Sequence, residues 1–261
     1  LHASDLPAVL RGGRLFAIPK TPDGREFRCW LDTDGSGFVF DDVVRKYHLP
    51  TDGKSAHLPA FRAASSIPAP SRDGGVLTIH VRSADERAEP ILQDFEAQLG
   101  GSWFADRIWH LDFRKGALAL LGSPLRAAQA TAPLTMKKIY PRVELEIAGK
   151  GMPASFDIAA SVAEGSAVSS VRATSFVKNE TFAQWLDANP TWATRGIGRG
   201  ILGITVPVVR LGSSQFSNVE FTTRPDDDVF EGDDVTVKLG ANAYAGRVVT
   251  LDYTTARLRV A

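Results

Sequence analysis

The sequence predicts an all-β chain with short helices, folded as two related lobes about a pseudo-two-fold axis. Three observations carry that prediction. Short apolar runs of strand length alternate with Gly, Pro, Asp and Ser turn signals along most of the chain. Near the end of each half stands an ungapped repeat: 99–113 lies over 239–253, with Leu99-Gly100 over Leu239-Gly240, Ala105 over Ala245, Arg107 over Arg247 and Leu111-Asp112 over Leu251-Asp252. An aromatic follows each Leu-Asp, and Leu118 matches Leu258. Finally, each half holds an apolar run ending on an acidic turn, Asp32 in the first and Asp157 in the second. The boundary falls in the stretch from Gly122 to Pro133, rich in Ala, Ser, Thr and Pro, which divides the chain into 1–125 and 126–261.

The elements follow in order. Arg14-Leu15-Phe16-Ala17-Ile18-Pro19 and Glu26-Phe27-Arg28-Cys29-Trp30-Leu31 flank Thr21-Pro22-Asp23-Gly24, a turn signal, and predict a hairpin that delivers the chain to Asp32. Val43, Val44 and Tyr47, with Asp41 as cap, predict a helix of about two turns. Residues 49–75, rich in Pro, Ser, Ala and Gly, read as an irregular loop before a strand over 76–81. In the second half, Gly149-Lys150-Gly151 turns into the approach to Asp157. Phe182, Trp185 and Leu186 then predict a helix capped by Asn179, and strands are expected over 204–211 and 219–223.

Composition narrows the function classes. A chain of 261 residues with 44% hydrophobic content can bury a substantial core. Thirty basic and thirty acidic residues cancel, so nothing points to nucleic acid or an anionic membrane as partner. One cysteine, Cys29, excludes an intrachain disulfide framework and a cysteine zinc site. No run approaches the roughly eighteen apolar residues of a membrane span. Leu1-His2-Ala3-Ser4 would suit the neighbourhood of a signal-peptidase cut, an expectation of periplasmic or secreted location alongside a cytoplasmic one.

Two Asp turns followed by two matched Leu-Gly segments resemble the retropepsin-like and pepsin-like aspartic proteases in a single-chain, two-lobe bacterial form. In that family each lobe bears an Asp-Thr/Ser-Gly turn after two apolar residues, crossed later by a loop carrying two apolar residues and Gly. Here the turns are Trp30-Leu31-Asp32-Thr33-Asp34 and Ser155-Phe156-Asp157-Ile158-Ala159, and the crossing segments are Gln98-Leu99-Gly100 and Lys238-Leu239-Gly240. The resemblance spans roughly Leu15 to Val260. It implies a cleft floored by Asp32 and Asp157, an extended peptide as substrate, no cofactor or metal, and a working monomer.

The implied chemistry needs two carboxylates that share a proton, because like charges about 3 Å apart cannot both ionise. One takes a proton from a water and the other polarises the scissile carbonyl. Thr33, Asp34, Gly35, Ile158 and Ala159 are the expected supports of the dyad. Thr33 keeps the family's hydroxyl, whereas Ile158 has none, so the reciprocal lock between the turns is expected to be half present. Asp34 and Ala159 replace Gly. A third carboxylate at Asp34 is expected to raise the proton affinity of the pair or crowd the water, and Ala159 to be costly if its backbone angle is positive. These departures keep open a pseudoprotease that binds peptides or protein partners without cutting them, and a purely structural module.

Other motifs carry competing readings. Asp32-Thr33-Asp34-Gly35-Ser36-Gly37 matches the start of a calcium loop, but Val43 stands where a bidentate Glu belongs and no helix precedes it. Gly198-Arg199-Gly200-Ile201-Leu202-Gly203 matches a dinucleotide fingerprint by letters, yet a β-like run follows where a helix is required. The five histidines lack metal-ligand spacing, and no Gly-x-Ser-x-Gly occurs. The acidic stretch Asp226-Asp227-Asp228 with Glu231, Asp233 and Asp234 reads as solvated surface. The five tryptophans read as core or cleft wall.

Overall fold

Apolar runs too short to span a domain alone bury themselves here by pairing across long stretches of sequence. The structure, a computed structural model, describes residues 3–58 and 78–261. Its strands form one large sheet per lobe, a third that joins the lobes, and a two-stranded ribbon of Ser161–Ala163 with Val171–Ala173. In the first lobe the order is 8–11, 14–17, 29–31, 97–99, 38–40, 78–82, 55–57, and in the second it is 135–137, 140–147, 150–157, 237–240, 175–177, 214–222, 201–211, 194–198. The two orders match place for place up to the last strand of the second lobe.

The predicted first hairpin forms: Phe16 pairs with Trp30 and Ala17 with Cys29, a bridge joins Lys20 to Glu26, and Gly24 turns the chain at φ 88°. The strand Arg14–Ala17 is buried along its whole length and paired on both edges, with Ala8–Arg11 and with Cys29–Leu31. Both helices appear one residue out of phase with their expected caps. Phe40 precedes the helix Asp41–Tyr47, so Asp41 sits inside it and accepts from the Ala84 N–H, while Lys178 precedes the helix Asn179–Ala188 and Asn179 binds Asp227 instead. Acidic side chains in the first turn still oppose the positive end of the helix dipole.

Three further expectations are adjusted. The stretch read as a loop over 49–75 contains a strand, Ser55–His57, and from residue 59 it lies outside the described residues. The strand expected over 76–81 is seen as Thr78–Arg82, its first two residues lying outside them too. The strands expected over 204–211 and 219–223 are longer, Ile201–Leu211 and Ser214–Thr222, because the hairpin continues to the turn at Gly212.

The joining sheet explains the repeat. Its order is 3–6, 117–121, 108–112, 248–252, 257–260, 132–133, and the central pair crosses between lobes. There Leu111 pairs with Val249, His110 with Thr250 and Trp109 with Leu251. His110 and Thr250 are each other's counterparts in the aligned repeat, so the pseudo-two-fold axis passes between them. Asp112 and Asp252, the acidic members of each Leu-Asp, close the turns that follow. Asp112 accepts from the backbone of Arg114 and Lys115, and Asp252 from that of Thr254 and Thr255. A single buried cluster runs through both lobes, with Trp103, Trp109, Phe156 and Tyr244 among its largest members.

Candidate active site

The two crossing segments bring the acidic turns to the middle of the molecule. In the first lobe Cys29–Leu31 runs parallel to Ala97–Leu99, and in the second Ser155, Phe156 and Asp157 run parallel to Lys238, Leu239 and Gly240. A side chain at Gly100 would overlap the carbonyl of Gly35, and one at Gly240 the carbonyl of Thr174. The repeated Leu-Gly is thus a pair of close backbone crossings that admit no Cβ. The Asp32 N–H donates to the Leu99 carbonyl at 2.9 Å, which ties the turn to the crossing strand.

Asp32 and Asp157 sit at equivalent points and accept equivalent bonds. The Asp34 N–H donates to Asp32 Oδ1 and the Ala159 N–H to Asp157 Oδ1, each at 2.9 Å. Both residues are less than a tenth exposed, and both line a cleft of about 490 Å³ between the lobes. Trp30, Phe38 and Leu92 wall it on one side, Ala160, Phe176 and Val229 on the other. Burial raises the Asp32 carboxyl well above its ordinary value, and the neighbouring Asp157 raises it further. Burial also raises Asp157, to about 6, with the Lys238 ammonium pulling against it.

The lock between the turns is half present, as expected, and works from one side. Thr33 Oγ1 donates to the Phe156 carbonyl at 2.6 Å and accepts from the Ile158 N–H at 3.2 Å. Thr33 and Ile158 are both fully buried, and Ile158 supplies apolar packing where a second hydroxyl would lie. Ala159 carries no strain, since its φ is not among the positive ones. Gly35 is required by space: a Cβ there would overlap Asp32 Oδ2.

Asp34 differs from the expectation. Its carboxylate does not crowd the cleft but binds two cations of the opposite lobe, Arg142 Nη1 at 2.6 Å and Lys238 Nζ at 2.5 Å, with its side chain only 2% exposed. Asp233 completes the cluster, bound to Lys238 at 2.8 Å and to Arg142 as well. The acidic stretch read as solvated surface therefore sends one member inward, while Asp234 at its rim pairs with Lys137. The Asp34 charge still raises the proton affinity of both the Asp32 and the Asp157 carboxyl. The same partners answer the calcium reading: the oxygens of Asp32 and Asp34 are turned to protein donors, not toward a common point. The glycine-rich stretch at 198–203 forms the turn between the strands Thr194–Gly198 and Ile201–Leu211 and the start of the second, as its β-like continuation implies.

Sequence reading missed Gln98, Arg142, Asp233 and Lys238. Gln98 Nε2 donates to Asp32 Oδ2 at 2.7 Å and to the Ser36 carbonyl at 3.0 Å. One signal was available. Gln98 and Lys238 occupy the same place in the repeat, directly before Leu-Gly, and both are polar in strands whose neighbours are apolar. Nothing local to Arg142 or Asp233 marks them, because their partner lies about a hundred residues away in sequence.

No protein-family model and no curated protein matches the chain. Solved structures do match over its whole length. Basic 7S globulin from soybean is 12% identical, over 99% of this chain and 94% of that one, at a TM-score of 0.52. Conglutin gamma, a basic 7S globulin from lupine seeds, is 11% identical over 99% and 94%, at 0.55. An aspartic proteinase from Irpex lacteus is 11% identical over 100% and 97%, at 0.56. At such identities the likeness speaks of fold and not of activity, and the fold of this chain is that of the two-lobed, all-β, pepsin-like aspartic proteinase.

Proposed function

We propose that the chain is an aspartic endopeptidase in which Asp32 and Asp157 share one proton and activate a water against the peptide bond. The observation that carries this reading is the pair itself: two buried carboxyls on equivalent turns, each fixed by the N–H two residues on, at the floor of an apolar-walled cleft between lobes. Their raised proton affinities fit a pair that holds one proton when the other member is ionised. In the reaction the ionised carboxylate removes a proton from the water as its oxygen attacks the carbonyl carbon. The protonated carboxyl donates to the carbonyl oxygen; as the C–N bond breaks, the first carboxyl passes the proton taken from the water to the leaving amine, and the second recovers its own from a hydroxyl of the tetrahedral species. Both carboxyls belong to one chain, so the active form is proposed to be a monomer, and the substrate an extended peptide.

The test is a diverse peptide pool incubated from pH 3 to 8 with the unmutated chain, Asp32→Asn and Asp157→Asn. Cleavage by the unmutated chain should fall about 10³-fold or more in each variant. Binding without cleavage, or cleavage that survives either substitution, would overturn the reading.

A further inference from the structure

The two residues before the Leu-Gly crossings hold matching places but different chemistry. In the first lobe Gln98 brings a neutral amide to the Asp32 carboxylate. In the second, Lys238 lies on the strand that runs parallel to the one carrying Asp157, and brings a full positive charge. Its ammonium is clamped by Asp34 from the other lobe and by Asp233, with the side chain 7% exposed. We propose that Lys238 is a positioning residue that acts on the dyad through its charge, making Asp157 the ionised, water-activating member and leaving the shared proton on Asp32. This rests on the dyad reading above and assigns its two halves.

Lys238 lowers the proton affinity of both carboxyls. For Asp157 it comes directly after burial among the influences, and for Asp32 behind Asp157, the Asp34 amide and the Asp34 carboxylate, so its charge favours ionisation of Asp157. Asp32 and Asp34 face it from the first-lobe turn, Lys238 from the adjoining strand, and the Ala159 and Ala160 amides from its own turn. Behind Lys238 stand Arg142 from the strand Tyr140–Ile147, and Asp233 and Asp234 from the loop before the strand Val237–Gly240. Tyr140 and Tyr253 face the Asp32 and Asp34 side of the group and are neutral at the pH concerned, because burial holds both phenols above their ordinary values. Asp34 and Asp233 balance Arg142 and Lys238. Loss of Lys238 therefore leaves one excess negative charge beside Asp157, and loss of Asp34 one excess positive charge. A nearby anion raises a carboxyl's proton affinity and a cation lowers it.

Two substitutions should thus move one group in opposite directions, which a mere loss of packing would not do. The readout is a ¹³C NMR titration of the Asp157 carboxyl carbon, assigned with Asp157→Asn, with circular dichroism confirming that each variant is folded. Lys238→Met should raise the midpoint by about one pH unit or more, equivalent to a tenfold change in proton affinity, and Asp34→Asn should lower it. Asp233→Asn, nearer the surface, should also lower it and serves if Lys238→Met does not fold. Shifts in the wrong direction, a common direction for Lys238→Met and the Asp variants, or no shift in any would overturn the proposal. In the peptide assay the acid limb of kcat/KM should follow the same order. A chain that cleaves no peptide at all would defeat the endopeptidase reading and leave the titration to judge Lys238 separately.

Discussion

The two acidic turns share a backbone plan and divide the work of holding it. Each Asp accepts the N–H two residues on, and each turn lies under a glycine crossing. The first turn sends side chains outward to the other lobe: the Thr33 hydroxyl to Phe156 and Ile158, and the Asp34 carboxylate to Arg142 and Lys238. The second turn, Asp157-Ile158-Ala159, sends none from those positions and receives. The lock between the turns is one-sided: a buried ion cluster stands beside a single hydroxyl bridge. Buried ion pairs add little net stability when intact but are costly to break from one side, since the partner charge is left in low dielectric. The asymmetry therefore makes the first turn the sensitive one.

Asp34→Ala breaks the comparison most severely, because it gives the first turn the residue that the second already has at Ala159. It strands Arg142 and Lys238, 8% and 7% exposed, with Asp233 as their shared inner partner. A loss of about 3 to 5 kcal/mol in urea unfolding is expected. Adding Lys238→Met should recover most of it, since Arg142 and Asp233 then remain as a matched pair and the stranded charge, not the missing carboxylate itself, carries the cost. A loss below about 1 kcal/mol for the single variant would show that the cluster is solvated and the lock symmetric after all.

Asp157→Asn sharpens the electrostatic side. The Asp157 carboxyl titrates near 6 in the folded protein, raised from an ordinary value near 3.8, so the folded state holds its proton more tightly than the unfolded chain. Stability from this group is fully present below about pH 4 and is lost as the pH rises through about 6. Asparagine does not titrate and escapes that loss. Relative to the unmutated protein, the variant should gain about 2 to 3 kcal/mol between pH 4 and pH 7. Denaturant midpoints at the two pH values measure it, and an equal difference at both would mean the carboxyl is not held up by burial.

What could be read beforehand depended on the length scale of each interaction. The repeat at 99–113 and 239–253 exposed the two-fold plan because the crossings, turns and central strand pair impose their demands within about fifteen residues. Asp106 and Gly246, and likewise Gly116 and Ala256, even share positive φ at matched positions, although only half of them are glycine. The role of Asp34 was not legible, because a carboxylate's effect depends on what faces it, and Arg142 and Lys238 arrive from the other lobe. Cap positions missed by one residue, since Asp41 and Asn179 spend their side chains on Ala84 and Asp227 while the chain enters each helix from a strand.

Thr33→Val tests the hydroxyl bridge on its own. Valine keeps the shape and volume of threonine but can neither donate to the Phe156 carbonyl nor accept from the Ile158 N–H, and both groups are buried. Leaving such groups unpaired costs about 1 to 3 kcal/mol. The change that removes the least from the counterpart position, Ile158→Val, deletes one methylene from an apolar site and should cost about 0.5 to 1.5 kcal/mol. The two losses should add in the double variant only if each acts alone. The Ile158 amide is part of the Thr33 bridge, so a small side-chain shift at 158 weakens the same bond, and a double variant less destabilised than the sum is expected. Equal single losses with full additivity would return the two turns to equivalence and remove the basis for treating the first as the clamp.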